Sequence, residues 1–127
     1  MKLKNIESLL IGLKELYEKE LSMSTSYSIV KNIQSVEEEY KIITDKRNEL
    51  VNKYGVKDKN GELVTLENGN IKLNDVESFA KDLDELMEID STISLIKIKF
   101  NNLSGIKLSP KAIMFLEPIL IHEEDEK

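Results

Sequence analysis

The sequence predicts an α+β fold, and three observations carry that prediction. First, Ile29, Ile33, Val36, Tyr40, Ile43, Arg47, Leu50 and Tyr54 recur at alternating spacings of four and three. That rhythm places side chains on one face of a long helix. Second, Asn60-Gly61 and Asn68-Gly69 punctuate a polar stretch, and Asn-Gly tolerates the positive φ that two-residue hairpin turns demand. Third, Ile96, Ile98 and Phe100 alternate with Lys97 and Lys99, the period of a half-buried strand. The expected architecture is an N-terminal helical hairpin with one long helix, a short antiparallel β-meander, a third helix, one longer strand and a short C-terminal helix.

Taken in order, Asn5 or Ser8 can cap a first helix, and Asn5 is the better candidate because Ile6, Leu9, Leu10, Leu13, Leu16 and Tyr17 then follow at helical spacing. Gly12 interrupts that pattern and suggests a close helix contact. The stretch 21–26 is rich in hydroxyl side chains, which favour caps and turns over helix interiors. Either Ser24 or Ser26 is expected to cap the long helix, which then runs ~45 Å at 1.5 Å per residue. Glu37, Glu38, Glu39, Lys41, Asp45, Lys46 and Glu49 form its charged outer side. Arg47 is polar on the seam, but its stem can lie along apolar surface while its head stays wet. Gly55 is placed to stop the helix.

With both Asn-Gly turns formed, residue 59 pairs with 62 and residue 67 with 70, giving strands 56–59, 62–67 and 70–73. The alternative leaves the first Asn-Gly in a disordered loop and makes one hairpin at the second. Asn74 or Asp75 caps a third helix with Val76, Phe79, Leu83, Leu86 and Met87 on one face. Its other face carries Glu77, Asp82, Asp84, Glu85 and Glu88, with Asp90 beyond. The strand at 96–100 is expected to pair with an edge of the meander. Ser109-Pro110 opens the last helix, since Ser suits the cap and Pro the first helical position. Pro118 ends it, and Ile119, Leu120 and Ile121 make a short strand or docking segment.

The length, 127 residues, fits a single domain over 1–122 followed by an acidic disordered tail at 123–127. There is no cysteine, and the apolar runs are too short to cross a bilayer. A cytoplasmic protein is expected. The net charge of −6 is uneven: 1–54 holds nine basic and nine acidic residues, whereas 55–127 holds nine and fifteen. An acidic surface repels phosphate backbones, so nucleic acid is not expected as a direct partner, nor is a membrane.

Catalytic chemistry is missing from this pattern. The single imidazole, His122, stands between an apolar run and the acidic tail, where it reads as a surface residue. No Gly-rich loop opens a helix to cradle phosphate. Asp82, Asp84, Glu85, Glu88 and Asp90 invite a calcium or magnesium reading, but helical carboxylates without a tight glycine loop are better read as a solvated face. No catalytic residue, metal or cofactor is expected, and the chain reads as a non-enzyme.

Several stretches carry a resemblance: Met1-Lys-Leu-Lys-Asn-Ile, Ser26-Tyr-Ser-Ile-Val-Lys-Asn-Ile33, Arg47-Asn-Glu-Leu-Val-Asn-Lys-Tyr-Gly55, Lys57-Asp-Lys-Asn-Gly61, Asp82-Leu-Asp-Glu-Leu86, and Leu108-Ser-Pro with Phe115-Leu-Glu-Pro-Ile119. In that order they resemble an uncharacterised family of small proteins encoded by phages and prophages of low-GC Gram-positive bacteria. The resemblance implies no activity and no binding residues. Together with the charge distribution it leads to the expectation of an accessory factor that docks on a host or phage protein. Its acidic face would be Asp82, Asp84, Glu85, Glu88 and Asp90, and the concrete version is inhibition of a host defence or nucleic-acid-binding protein. The alternative is a virion or assembly component. Both readings expect a homo-oligomer, with a dimer favoured, paired along Ile33, Val36, Tyr40, Ile43, Arg47 and Leu50.

Overall fold

The computed structural model describes residues 1–122, so the tail expected at 123–127 lies outside the described residues. Contacts divide the chain into two compact units, one formed by Met1–Tyr40 with the chain from Asp90 onward, the other by Lys41–Ile89. The elements are mostly helical: α1 (Ile6–Tyr17), α2 (Met23–Tyr54), α3 (Val76–Met87) and α4 (Pro110–Leu116), with two short strands, β1 (Ile98–Lys99) and β2 (Leu120–Ile121). The 32-residue α2 contributes residues to both units.

In the first unit the apolar spacing of α1 does what its period requires: Ile6, Leu9, Leu13 and Leu16 are fully buried. Each such side chain contributes about 1.5–3 kcal/mol by leaving water. Tyr17 is the exception, 62 % exposed. Asn5 does not cap α1: it ends a short 3-10 turn (Leu3–Asn5) in helical conformation, with no side-chain bond to the helix. Gly12 is where α4 comes close, since a Cβ there would lie 3.1 Å from Leu116 Cγ and from Phe115 Cβ. α4 begins at Ser109, whose Oγ accepts from the Ala112 N–H at 3.1 Å.

α2 starts earlier than Ser24 or Ser26. The Ser22 Oγ accepts from the Thr25 N–H at 3.3 Å and donates to the Thr25 Oγ1 at 3.0 Å, so Ser22 satisfies the first turn. Along the seam Ile29, Val36 and Ile43 are buried, whereas Ile33, Tyr40, Arg47, Leu50 and Tyr54 are only half-buried.

The strand expected over 96–100 shrinks to β1, which pairs in parallel with β2 (Ile98 with Leu120, Lys99 with Ile121) rather than with any meander edge. Two facts shorten it. Phe100 already begins a 3-10 turn, and the backbone of Ile96 is occupied by a side chain. The Ile96 N–H donates to Asn32 Oδ1 at 2.8 Å, and Asn32 Nδ2 donates to the Ile96 carbonyl at 2.9 Å.

In the second unit the three-stranded antiparallel meander expected over 56–73 does not form. Three isolated antiparallel bridges stand in its place: Gly55 with Leu73, Lys57 with Leu63, and Thr65 with Ile71. The Val56 N–H donates to the Lys72 carbonyl at 2.8 Å, Lys72 N–H to the Val64 carbonyl at 2.9 Å, and Val64 N–H to the Val56 carbonyl at 2.8 Å. These three bonds close a ring. In a meander the first and third strands never meet. Here each segment gives its donor to one neighbour and its acceptor to the other, so no pair extends into a ladder. The turns differ for a related reason. Within each Asn-Gly pair the glycine alone has positive φ, +80° at Gly61 and +87° at Gly69, and among the described residues no residue other than glycine does. Asp58 N–H therefore bonds the Glu62 carbonyl and Leu66 N–H the Asn70 carbonyl, closing three-residue loops with a left-handed glycine last.

Gly55 follows α2, but not for left-handed freedom, since its φ is not positive. A Cβ there would lie 2.5 Å from both Leu63 Cδ2 and the Val51 carbonyl oxygen. Glycine is required there by space.

Candidate functional site

The acidic face expected on the third helix is built on α3. Asp75 caps it, accepting from the Ser78 N–H at 3.0 Å and from Ser78 Oγ at 2.7 Å. Those donors, the backbone N–H first, hold the Asp75 carboxyl below the usual aspartate range. Phe79, Leu83, Leu86 and Met87 share the inward side, yet none is fully buried, and no residue of α3 is.

The opposite side presents Glu77, Asp84, Glu85 and Glu88, all exposed, around Ala80 and Lys81. These six residues line a shallow depression of about 600 Å³. Lys81 stands four residues from Glu77 and from Glu85, a spacing at which opposite charges support a helix by about 0.2–0.5 kcal/mol per pair. The surface is therefore acidic but not unrelieved.

Of the five carboxylates expected to act together, α3 brings together Asp84, Glu85 and Glu88. Asp82 faces elsewhere: its Oδ2 accepts from the Tyr54 hydroxyl at 2.5 Å and lies 3.6 Å from Lys53 Nζ. Lys53 Nζ also stands 5.0 Å from the centre of the Tyr54 ring, which meets Phe79 edge-on at 6.2 Å. The bond to Asp82 raises the Tyr54 hydroxyl above the usual tyrosine range, while bonding and charge from Tyr54 and then Asp82 raise the Lys53 ammonium. Asp90 lies beyond α3, in the first unit, ion-paired with Lys2 at 3.4 Å. Glu77, which the sequence places on this face but outside the five-carboxylate set, belongs to the cluster, and so does Lys81, which sequence reasoning left out. Helical spacing from Glu77 and Glu85 would have found Lys81.

The self-association row divides. Val36 and Ile43 are buried within the chain, and Ile33, Tyr40, Arg47 and Leu50 keep partial exposure. Beside Ile33, a groove of about 430 Å³ is lined by Tyr17, Val30 and Ile33, with Lys14, Glu18, Gln34 and Glu37 at its edge. Lys14 Nζ reaches Glu37 Oε1 at 3.9 Å across it. His122 is half exposed; its Nε2 is 3.1 Å from both Glu117 carboxylate oxygens, and its ring lies over Phe100 at 5.2 Å.

Among the described residues, no group of three or more His, Asp or Glu is placed to hold a metal ion, and no helix is long and apolar enough to cross a membrane. The chain matches no family model, no curated protein and no solved structure.

Proposed function

We propose that the protein acts without catalysis, by binding another protein through the outer face of α3. The observation that carries this reading is the exposed set Glu77, Asp84, Glu85 and Glu88 on a helix whose opposite side is no more than half-buried. Complementary charge speeds encounter and selects partners whose surfaces are basic. With the resemblance to phage and prophage proteins, the concrete form is an accessory factor inside an infected cell. It would occupy the basic groove of a host defence or nucleic-acid-binding protein and exclude the phosphate backbone from it.

The test is capture of the partner from host lysate by wild-type chain and by a Glu77→Gln, Asp84→Asn, Glu85→Gln variant. Asp82 and Asp90 stay intact because each has a partner within the fold. The expected outcome is a partner retained by wild type, lost by the variant, and released as salt rises, since exposed charges are screened beyond about 10 Å at 0.1 M. Retention indifferent to both the variant and salt would sink the reading.

A second reading, a virion or assembly component that pairs through α2, is favoured by the half-buried row Ile33, Tyr40, Arg47 and Leu50 and the apolar groove beside Ile33. Sedimentation at micromolar concentration decides it: a dimer supports it, and a monomer absent from purified particles rules it out.

A further inference from the structure

We infer that Asn60 is a site of spontaneous covalent modification, closing onto Gly61 as a succinimide and reopening as aspartate or isoaspartate, and that the fold protects Asn68 from the same reaction. The inference is independent of the proposed function.

Both asparagines precede a glycine, so no Cβ hinders approach of the next backbone nitrogen. Both are exposed. A Cβ built on either glycine meets no atom within 4 Å, so neither site is shielded by neighbouring side chains. What separates them is the carboxamide. Asn68 Oδ1 accepts from the Asn70 N–H at 3.0 Å, a local turn of the kind asparagine favours. That bond must break before Cγ can swing over the Gly69 nitrogen. The Asn60 carboxamide is held by no hydrogen bond among the described residues; the local bonds there go to Asp58 Oδ1, from Asn60 N–H at 2.8 Å and Glu62 N–H at 3.1 Å. The attacking nitrogens differ in the same sense: Gly61 N–H reaches the Asp58 carbonyl at 3.1 Å, and Gly69 N–H the Leu66 carbonyl at 2.9 Å.

The chemistry balances with water alone. The Gly61 nitrogen gives its proton to solvent and forms a bond to Asn60 Cγ. The carboxamide nitrogen takes a proton from solvent and leaves as ammonia. Water then adds to one carbonyl of the five-membered imide. Opening at the side-chain carbonyl gives aspartate, and opening at the main-chain carbonyl gives isoaspartate, which adds a carbon to the backbone path. Either product adds one negative charge to an already acidic unit. Isoaspartate also lengthens the loop that closes from Asp58 to Glu62, next to the Lys57–Leu63 bridge.

The experiment incubates the full chain in mildly alkaline buffer, folded and in guanidinium, and follows both asparagines by peptide mass mapping with fragmentation that separates the two. In the folded chain Asn60 is expected to convert roughly fivefold faster than Asn68, the factor corresponding to one neutral hydrogen bond of about 1 kcal/mol. In guanidinium the two rates converge. Equal rates in the folded chain, faster loss of Asn68, or no conversion of Asn60 before unfolding would each overturn the inference. So would a ratio that persists in guanidinium, because the difference would then come from neighbouring residues and not from the fold.

Discussion

Asn32 shows how much one buried amide can hold. It is 1 % exposed, and it serves the Ile96 backbone as a strand would, donating to its carbonyl and accepting from its N–H. Truncation removes two hydrogen bonds worth about 1 kcal/mol each and leaves a hole in the interior. Asn32→Ala is therefore expected to destabilise the chain by about 2–3 kcal/mol in urea titration. Asn32→Asp should not rescue it, because a carboxylate keeps the acceptor but sets a second oxygen against the Ile96 carbonyl. Stability of Asn32→Asp equal to wild type would show that only the accepted bond matters. Sequence reasoning passed over Asn32 because it is polar and one position off the apolar seam, and its partner lies 64 residues away.

Among the elements, those specified by neighbouring residues were legible and those specified by distant ones were not. Ser109-Pro110 reads as a helix start and is one. α1 and α2 follow from their apolar periods, and Asp75 was one of two named caps for α3. The polar stretch misled because its two Asn-Gly pairs satisfy a meander equally well. The bond from Val56 to Lys72 closes the ring between the first and third segments, and local turn chemistry is silent about that. A repeat gives the signal in hindsight: the ring residues 56, 64 and 72 and the pairs beginning at 60 and 68 all recur every eight residues. The ring is backbone only, so spacing should matter more than side-chain identity. Inserting one alanine after Gly61 is expected to abolish the slow amide exchange of Val64 and Lys72, while Lys59→Ser leaves it unchanged. Exchange that survives the insertion would mean the ring is not set by loop length.

At the scale of the whole molecule, charge decides how the chain meets acid. Glu15 of α1 accepts from the Ser109 N–H and hydroxyl, each at 3.0 Å, and the backbone donor is the main reason its carboxyl titrates below the usual 4.5. A carboxylate with a lowered folded pKa stabilises fully above its unfolded value, and that contribution disappears as pH falls through the folded value. Asp75 acts in the same direction. Thermal stability is thus expected to fall progressively below about pH 4.5, and Glu15→Gln should flatten that decline. The acidic second half of the chain was plain from composition, but which carboxylates cluster was not. Asp82 is drawn to Tyr54 and Asp90 to Lys2, pairings that no spacing along α3 announces.

The ring at Val56, Val64 and Lys72 also carries a consequence for how the chain assembles. Its bonds join residues 8, 8 and 16 apart (64 − 56, 72 − 64 and 72 − 56), whereas the approach of α4 to Gly12 joins residues 104 apart (116 − 12). Closing a loop of about ten residues takes ~10–100 ns, and the entropic cost of closure rises with length. The polar turns therefore have their contacts within reach from the first moments of folding, while the apolar core waits for α1 and α4 to find each other.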